Sequence, residues 1–262
     1  MKNRLRYLAG IAAALALLCG STPRALAAQA ASGIAVLVAD QSAPGAMPSS
    51  GQITLNGVVG LLAAESGLNL TVHAYPWRRA QLMAKNGEGL LYGAAETPER
   101  AAAFTFTKPL YMVNQWLVTP AQHHIDFRRW EDLRGKVISI GAGGHFGPEF
   151  EEHRDKTFTV QDNTATISGR FKMLNMGRVD ALLIDSFRSA PQLEQRLNCL
   201  YGDIGAWAVM AKPVSAEAVT ISVAKTSPLH ALVPQLNDAI DRLNKTRGFH
   251  KYLDRRAAAP GC

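Results

Sequence analysis

The stretch that decides the fold is RRAQLMAKNGEGLLYGAAETPER, residues 78–100. It predicts a helix over residues 78–88 and then a short buried strand over residues 89–95. Thr97 suits the N-cap of a following helix, and Pro98 suits its first position. A helix, a strand and a new helix start in so short a stretch are typical of α/β units, in which successive strands run parallel.

Arg100 raises an electrostatic question within this stretch. It is the third residue of the helix predicted to begin after Thr97. A cation at that place lies against the positive end of the helix dipole, which is unfavourable. The sequence therefore asks which group Arg100 faces.

The same alternation of apolar strands and helical patterns continues along the chain and falls into two units. Strands are expected at residues 33–40, 68–75, 89–95, 112–120, 157–163, 179–186 and 217–227, with one more inside 130–144. Helices are expected at residues 55–67, 78–88, 165–178 and 191–197, from Thr97 and Pro148 onward, and over 230–256 with a break at Gly248. The pattern predicts an α/β fold of two lobes, each a mostly parallel sheet flanked by helices.

Two crossovers, near residues 112–120 and 212–220, would join the lobes and act as a hinge. Lobe 1 is predicted to comprise residues 31–115 plus 217–262, with the terminal helices completing it, and lobe 2 residues 116–216. A cleft between two lobes is a natural place for a ligand.

Residues 1–30 have the features of a secretory signal peptide. Lys2, Arg4 and Arg6 precede an apolar run from Leu8 to Gly20, which is too short for a membrane anchor. Small-x-small cleavage sites follow, so the mature chain is expected to begin near Ala28 or Ala31 in the periplasm. Leu18 is not the small residue that a lipobox places before its cysteine, so we expect no lipid on Cys19.

The charge balance excludes a nucleic-acid-binding surface. The formal net charge is +7, but four of the positive charges belong to the expected leader, which leaves the mature chain near +3. No run of Lys and Arg supports binding to nucleic acid. We expect a monomer that binds a small molecule and needs no cofactor.

Two cysteines, Cys199 and Cys262, remain in the expected mature chain. An oxidising compartment permits a disulfide, but both thiols could equally stay unpaired. Because Cys199 falls in lobe 2 and the tail is expected on lobe 1, we predict that they are not bonded to each other.

No complete catalytic motif is present. The loop GAGGHFG, residues 141–147, lacks the third glycine of a dinucleotide fingerprint because Phe146 stands there. It is either a plain tight turn or a loop whose N–H groups cradle an anion. His145, Glu149 and His153 recur every four residues, but Pro148 leaves His145 outside the helix, so no metal site is expected.

Several residues at strand ends are candidates for ligand contacts. Asp185 and Asp40 each end an apolar strand, where a carboxylate could meet an ammonium group or merely cap a turn. Tyr75, Trp77 and Trp116 lie at or near strand ends, and either pack in the core or line a cleft.

At this point the chain resembles the periplasmic solute-binding proteins of amino-acid ABC transporters, the two-lobed family 3 type. The resemblance rests on PWRRAQLMAKNGEGLLYGAAETPERAAAFTFTKPLY, residues 76–111, and on MGRVDALLID, residues 176–185. The loop in LRGKVISIGAGGHFGPEF, residues 133–150, is similar to the family loop that contacts the ligand carboxylate.

The resemblance implies a set of ligand contacts. Arg100 would pair with the ligand carboxylate, which answers the question of the helix dipole. Asp185 would receive the ligand ammonium from the other lobe, and Gly144 and His145 would offer backbone N–H groups. Asp40 would stand where an acid can touch a ligand side chain.

Four further positions complete the expected set. Gly93 and Ala95 stand on the strand where the family often has Ser or Thr. The family often has an aromatic residue shortly after the first strand, but DQSAPGAM, residues 40–47, has none. Tyr75 or Trp77 would then supply the apolar wall.

The function implied is non-enzymatic capture of an amino acid or a related carboxylate, followed by recognition of the closed form by a membrane permease. Two alternatives stay open. One is an enzyme on the same fold, similar to a dehydratase, in which His145 or Glu149 serves as general acid or base. The other is a module that reports ligand to a membrane receptor.

Overall fold

The computed structural model describes residues 33–40, 50–163 and 166–258. The expected leader, its cleavage sites, Cys19 and Cys262 lie outside these residues. Two sheets flanked by helices form the fold, and the predicted α/β class is confirmed.

The elements follow the predicted alternation closely. In chain order they are β1 (Ile34–Ala39), α1 (Ser50–Ser66), β2 (Leu70–Tyr75), α2 (Trp77–Lys85), β3 (Leu90–Tyr92), α3 (Pro98–Ala103), β4 (Phe104–Phe106), β5 (Tyr111–Pro120), a 3-10 turn (Trp130–Leu133), β6 (Val137–Ser139), α4 (Gly147–His153), β7 (Thr159–Gln161), α5 (Ile167–Asn175), β8 (Ala181–Ser186), α6 (Ala190–Tyr201), β9 (Trp207–Val209), β10 (Ser215–Val219), β11 (Ile221–Ala224), a 3-10 turn (Pro228–Leu232), α7 (Val233–Lys245) and α8 (Gly248–Ala258).

The first sheet has the strand order β2-β1-β3-β11-β4. Strands β1, β2 and β3 run parallel, whereas β11 runs antiparallel to β3 and β4. The second sheet has the order β10-β5-β8-β6-β7, with β9 also paired to β5. Here β6 is parallel to β7 and β8, whereas β5 is antiparallel to β8, β9 and β10.

Both sheets are therefore mixed rather than mostly parallel, which corrects the expectation. The parallel pairs come from strand-helix-strand units, while the strands that carry the chain between the sheets return in the opposite direction. The expected single strand over residues 217–227 is two strands, since the chain leaves the second sheet after Val219 and enters the first at Ile221. The predicted lobe boundaries stay a prediction.

The two terminal helices pack on the first sheet. Leu236, Ala239, Ile240 and Leu243 are buried on α7 at the spacing of one helix face. They join a core that includes Val36 of β1 and Phe249 of α8. Both terminal helices therefore share one core with the first sheet.

The end of α8 also reaches the second lobe, which the sequence did not indicate. Nη2 of Arg188, in the segment between β8 and α6, donates a hydrogen bond of 3.0 Å to the carbonyl oxygen of Arg256. Cys199 of α6 is disulfide-bonded, so a free thiol at this position is ruled out. Because Cys262 lies outside the described residues, the prediction that these two cysteines are not bonded to each other stays a prediction. Its stated reason is weakened, since the C-terminal helix ends beside the second lobe.

Within the described residues, every helix is too short or too polar to span a bilayer.

A tyrosine pair joins the crossover strand β5 to the first sheet. The hydroxyl groups of Tyr92 and Tyr111 lie 2.5 Å apart, and burial raises the pKa of both phenols. This hydrogen bond fixes the start of β5 against the end of β3.

Gly89 and Gly60 give a matched test of the packing. A Cβ atom at Gly89 would lie 2.6 Å from the carbonyl oxygen of Ala35 in β1, whereas one at Gly60 on α1 would meet no atom within 4 Å. We expect Gly89→Ala to lower the free energy of unfolding by about 1–3 kcal/mol through overpacking. Gly60→Ala should raise it by about 0.5–1 kcal/mol through helix propensity.

Urea unfolding followed by circular dichroism measures both changes. Equal midpoints for Gly89→Ala and the unaltered protein would contradict the close approach of β1 and β3 described here.

Candidate functional site

The C-terminal edges of the parallel strands form the site, as expected for open α/β sheets. In the first sheet Asp40 follows β1, Tyr75 ends β2 and Gly93 follows β3. In the second sheet the same edge carries Ser139 at the end of β6 and Asp185 near the end of β8.

Arg100 is held at the start of α3 as the sequence predicts. The Thr97 hydroxyl caps the helix by accepting the Arg100 N–H at 3.2 Å, and Pro98 opens the helix. The guanidinium folds back, so that Nη1 donates to the carbonyl of Ala95 at 2.9 Å and Nη2 donates to Gln81 Oε1 at 3.2 Å. Burial lowers the pKa of Arg100 from its usual value. The cation is thus half-buried and partly desolvated.

Trp77 brings the two lobes together. Its ring lies 6.0 Å from the Arg100 guanidinium carbon. A Cβ atom at Gly143, in the glycine loop of the second lobe, would lie 3.5 Å from Trp77 Cδ1 and 3.8 Å from Arg78 Cγ. The glycine loop therefore covers the start of α2 at van der Waals distance, and the φ of 71° at Gly143 favours glycine there. Tyr75 is half-buried in the same cluster as Trp77, and the Arg79 guanidinium carbon lies 5.0 Å from the centroid of the Tyr75 ring.

Asp185 faces the cleft from β8. Its side chain is exposed through the cleft mouth, while the surrounding protein raises its pKa to about 6 by desolvation. Arg170 and a hydrogen bond from the buried Gln115 act in the opposite direction and favour the carboxylate. Ser215 in turn donates to Gln115 Oε1, which leaves the Gln115 amide nitrogen for Asp185.

Arg170 of α5 is almost fully buried behind Asp185, at 3% exposure. Its Nη2 donates to the carbonyl oxygens of Ser139 and Leu183, both at 2.7 Å, and its Nε donates to Ser139 Oγ at 3.2 Å. Burial lowers the pKa of Arg170 to about 10, so it remains a cation at neutral pH. It holds the ends of β6 and β8 together at the edge that carries Asp185.

Glu217 of β10 is a further acid at the cleft. Its Oε1 lies 3.0 Å from the position of a Cβ atom at Gly147, the first residue of α4. Burial raises its pKa to about 7, with further contributions from the negative charges of Asp185 and Glu151, whereas Arg100 lowers it. Arg100 and Asp185 both affect the pKa of Glu217, so Glu217 lies within electrostatic range of both charges.

The glycine loop is held by its own contacts. The Gly144 N–H donates to the Gly141 carbonyl at 3.0 Å, so in this structure that N–H is already used within the loop. The His145 N–H donates to no described residue, and His145 Nδ1 lies 3.6 Å from Glu151 Oε1. Of the two expected N–H donors, His145 is thus the one that remains for a ligand.

Glu149 and His153 lie away from this cleft. Trp130 Nε1 donates to Glu149 at 3.4 Å, and the Trp130 ring stacks on His153 at 5.0 Å. Across the described ranges, no three His, Cys, Asp or Glu side chains come together in a way that could hold a metal ion.

Sequence reasoning missed five polar residues that shape the site, which are Gln81, Gln115, Glu151, Arg170 and Glu217. Two of them carried a usable signal, because Gln115 and Glu217 are polar residues in predominantly apolar strands. Arg170 gave none, since an arginine in a helix is usually exposed.

The backbone is similar to several solved structures. One is the GluR0 ligand-binding core in complex with L-glutamate, with a TM-score of 0.67 and 20% identity over 86% of this chain and 98% of that chain. Another is the amino acid ABC transporter substrate-binding protein AbpA from Streptococcus pneumoniae bound to L-arginine, with a TM-score of 0.68 and 14% identity over 89% and 97%. The chain has the two-lobed periplasmic-binding-protein fold.

A third structure with this binding-protein fold is ArgBP from T. maritima, with a TM-score of 0.66 and 17% identity over 86% of this chain and 95% of that chain. No family model and no curated protein sequence matches the chain. At these identities the likeness establishes the binding-protein fold, and the ligand must be argued from the groups in the cleft.

Removing the buried guanidinium tests its structural role. We expect Arg170→Met to lower the free energy of unfolding by about 3 kcal/mol or more, because it removes three hydrogen bonds and leaves buried carbonyl oxygens without donors at about 1–3 kcal/mol each. Arg170→Lys keeps the charge but not the planar fork, so its free energy of unfolding should lie between those of the unaltered protein and Arg170→Met. Urea unfolding provides the measurement.

Lys172→Met on the exposed side of the same helix is the control, with an expected change within about 0.5 kcal/mol. Similar losses for the substitutions at Arg170 and Lys172 would show that the bonds to Ser139 and Leu183 are not needed for stability.

Proposed function

We propose that this chain is an exported solute-binding protein that captures an amino acid or a related carboxylate between its lobes and delivers it to an ABC transporter. The observation that carries the proposal is that opposite charges from the two lobes both act on Glu217. Arg100 comes from the first lobe and Asp185 from the second, and Glu217 interacts electrostatically with both.

Arg100 is suited to a carboxylate. A guanidinium has five N–H donors in a fixed fork, and the described contacts use two of its nitrogens. The bonds to Ala95 and Gln81 hold the group in place, so less conformational entropy is lost when a ligand binds. A carboxylate would also relieve the unfavourable position of Arg100 at the start of α3.

Asp185 is suited to the ammonium group of the same ligand. The Gln115 amide orients its carboxylate, and the side chain is open to the cleft. A cation in the cleft would stabilise the charged form of an acid whose pKa is raised to about 6. Arg100 and Asp185 together match the two ends of a zwitterion.

Trp77 and the glycine loop would close the cleft. The loop residue Gly143 lies against the Trp77 ring, and the paired strands β5 and β10 carry the chain between the lobes. We propose that bending at these strands opens the cleft, and that a permease recognises the closed form. AbpA, a structure of the same fold, is described as an ABC transporter substrate-binding protein.

Binding without catalysis is preferred over the enzyme alternative. Of the two candidate acid-base residues, Glu149 lies beside Trp130, away from the cleft, and the His145 imidazole lies 3.6 Å from Glu151. No described contact favours the sensory alternative over transport.

Single substitutions at the two charges test the proposal. We expect Arg100→Ala and Asp185→Ala each to weaken binding at least about tenfold, because each leaves one charge of the ligand without its partner. Arg100→Ala should affect every carboxylate ligand, whereas Asp185→Ala should affect amines and spare ligands without one. Calorimetric titration with a panel of L-amino acids and with any ligand that co-purifies measures the change.

Lys85→Ala, at the exposed end of α2, is the control for loss of a positive charge in the same lobe. Unaltered affinity in Arg100→Ala, with the control also unaltered, would overturn the proposed site.

A further inference from the structure

Glu217 lies in line with the groups that fix Asp185. In the second sheet Ser215 pairs with Gln115, and Gln115 pairs with Asp185, so these three residues form one row across β10, β5 and β8. Glu217 is two residues beyond Ser215 and therefore points to the same face of the sheet. The strand register thus delivers a second carboxylate to the cleft.

Glu217 is the acid of this group that has no close partner. Glu151 has Arg154 Nε at 3.3 Å and the Phe146 N–H at 3.0 Å, and a hydrogen bond from Gln115 favours the carboxylate of Asp185. In the part of the chain that the structure describes, Glu217 accepts no hydrogen bond and forms no ion pair within 4.0 Å. It is half-buried beside Gly147, so water compensates it only in part.

A carboxylate ligand in the cleft would make the ionised form of Glu217 even less favourable. Arg100 is the one group whose charge favours ionised Glu217, while burial, Asp185 and Glu151 all act against it. Once a ligand carboxylate pairs with Arg100, that favourable field is largely cancelled. A ligand that brings a positive group to Glu217 would again stabilise the Glu217 carboxylate, whereas a ligand with a neutral side chain would not.

The spacing of the two acids suits two separate positive groups. Strands β10 and β8 are separated by β5, so their backbones lie about 10 Å apart. Glu217 is also offset from the row of Asp185 by two residues, or about 7 Å along the strand. One small ammonium group cannot approach both carboxylates closely without large side-chain movements.

From this arrangement we infer that Glu217 receives a second cationic group of the ligand, so that the cleft selects dibasic amino acids over neutral ones. The inference rests on the proposed function, with Arg100 taking the carboxylate and Asp185 the α-ammonium group. Glu217 is the residue that determines specificity.

Calorimetric titration with L-arginine and L-citrulline tests this, because citrulline has nearly the same shape as arginine without the charge. L-lysine and L-norleucine form a second pair. At pH 8 we expect at least one dibasic ligand to bind at least tenfold more tightly than its neutral counterpart. Glu217→Gln, which keeps the size of the side chain, should reduce that preference at least fivefold.

The control variant is Glu99→Gln, since Glu99 is exposed and also interacts electrostatically with Arg100. It should leave the preference unaltered. The preference should also decline between pH 8 and pH 6, because Glu217 takes up a proton as the pH falls through its pKa of about 7. The charged groups that act on this titration are Arg100, Asp185 and Glu151.

Equal binding of charged and neutral partners, together with weak binding in Arg100→Ala, would overturn the role of Glu217 while leaving the proposed function in place. A preference that survives in Glu217→Gln, or that grows as the pH falls, would also overturn it. If no amino acid binds and Arg100→Ala changes nothing, both proposals fail.

Discussion

The buried guanidinium of Arg170 is the interaction on which the second half of the cleft depends. It binds the carbonyl oxygens of Ser139, the last residue of β6, and of Leu183, within the adjacent parallel strand β8. A buried carbonyl oxygen needs a hydrogen-bond donor, and one guanidinium supplies donors to both. The same cation sets the electrostatic background for Asp185, which must be charged to hold a ligand ammonium group.

A row of interacting side chains then extends across the second sheet to Asp185. The hydroxyl of Ser215 fixes the Gln115 oxygen, and the Gln115 amide fixes Asp185. Each residue in this row comes from a different strand, so the geometry is set by the register of the sheet rather than by a flexible loop. In the first lobe, two direct hydrogen bonds, to the Ala95 carbonyl and to Gln81, hold Arg100. The proposed site is thus preorganised, which would lower the entropy lost on ligand binding.

A feature could be predicted from the sequence when neighbouring residues determine it, and could not when it depends on strands that are distant in the sequence. The start of α3 was predictable, because the Thr97 cap and Pro98 act within one helical turn. The position of Asp185 was predictable as well, since an acid after an apolar strand falls at the ligand edge of an open sheet. The direction of Glu217 was not, because it follows from the antiparallel pairing of β10 with β5, which no local pattern specifies. The mixed character of the sheets was missed for the same reason, as strand composition does not reveal strand direction.

The contact between α8 and Arg188 has a mechanical consequence. Two neighbouring crossover strands alone would allow the lobes to rotate widely about one axis. The hydrogen bond from Arg188 to the Arg256 carbonyl adds a third connection, which lies outside those strands and joins a helix packed on the first sheet to the second lobe. Three connections that do not share an axis leave a pair of bodies with fewer degrees of freedom than two. If the lobes open as proposed, the C-terminal helix would therefore restrict their separation through this hydrogen bond.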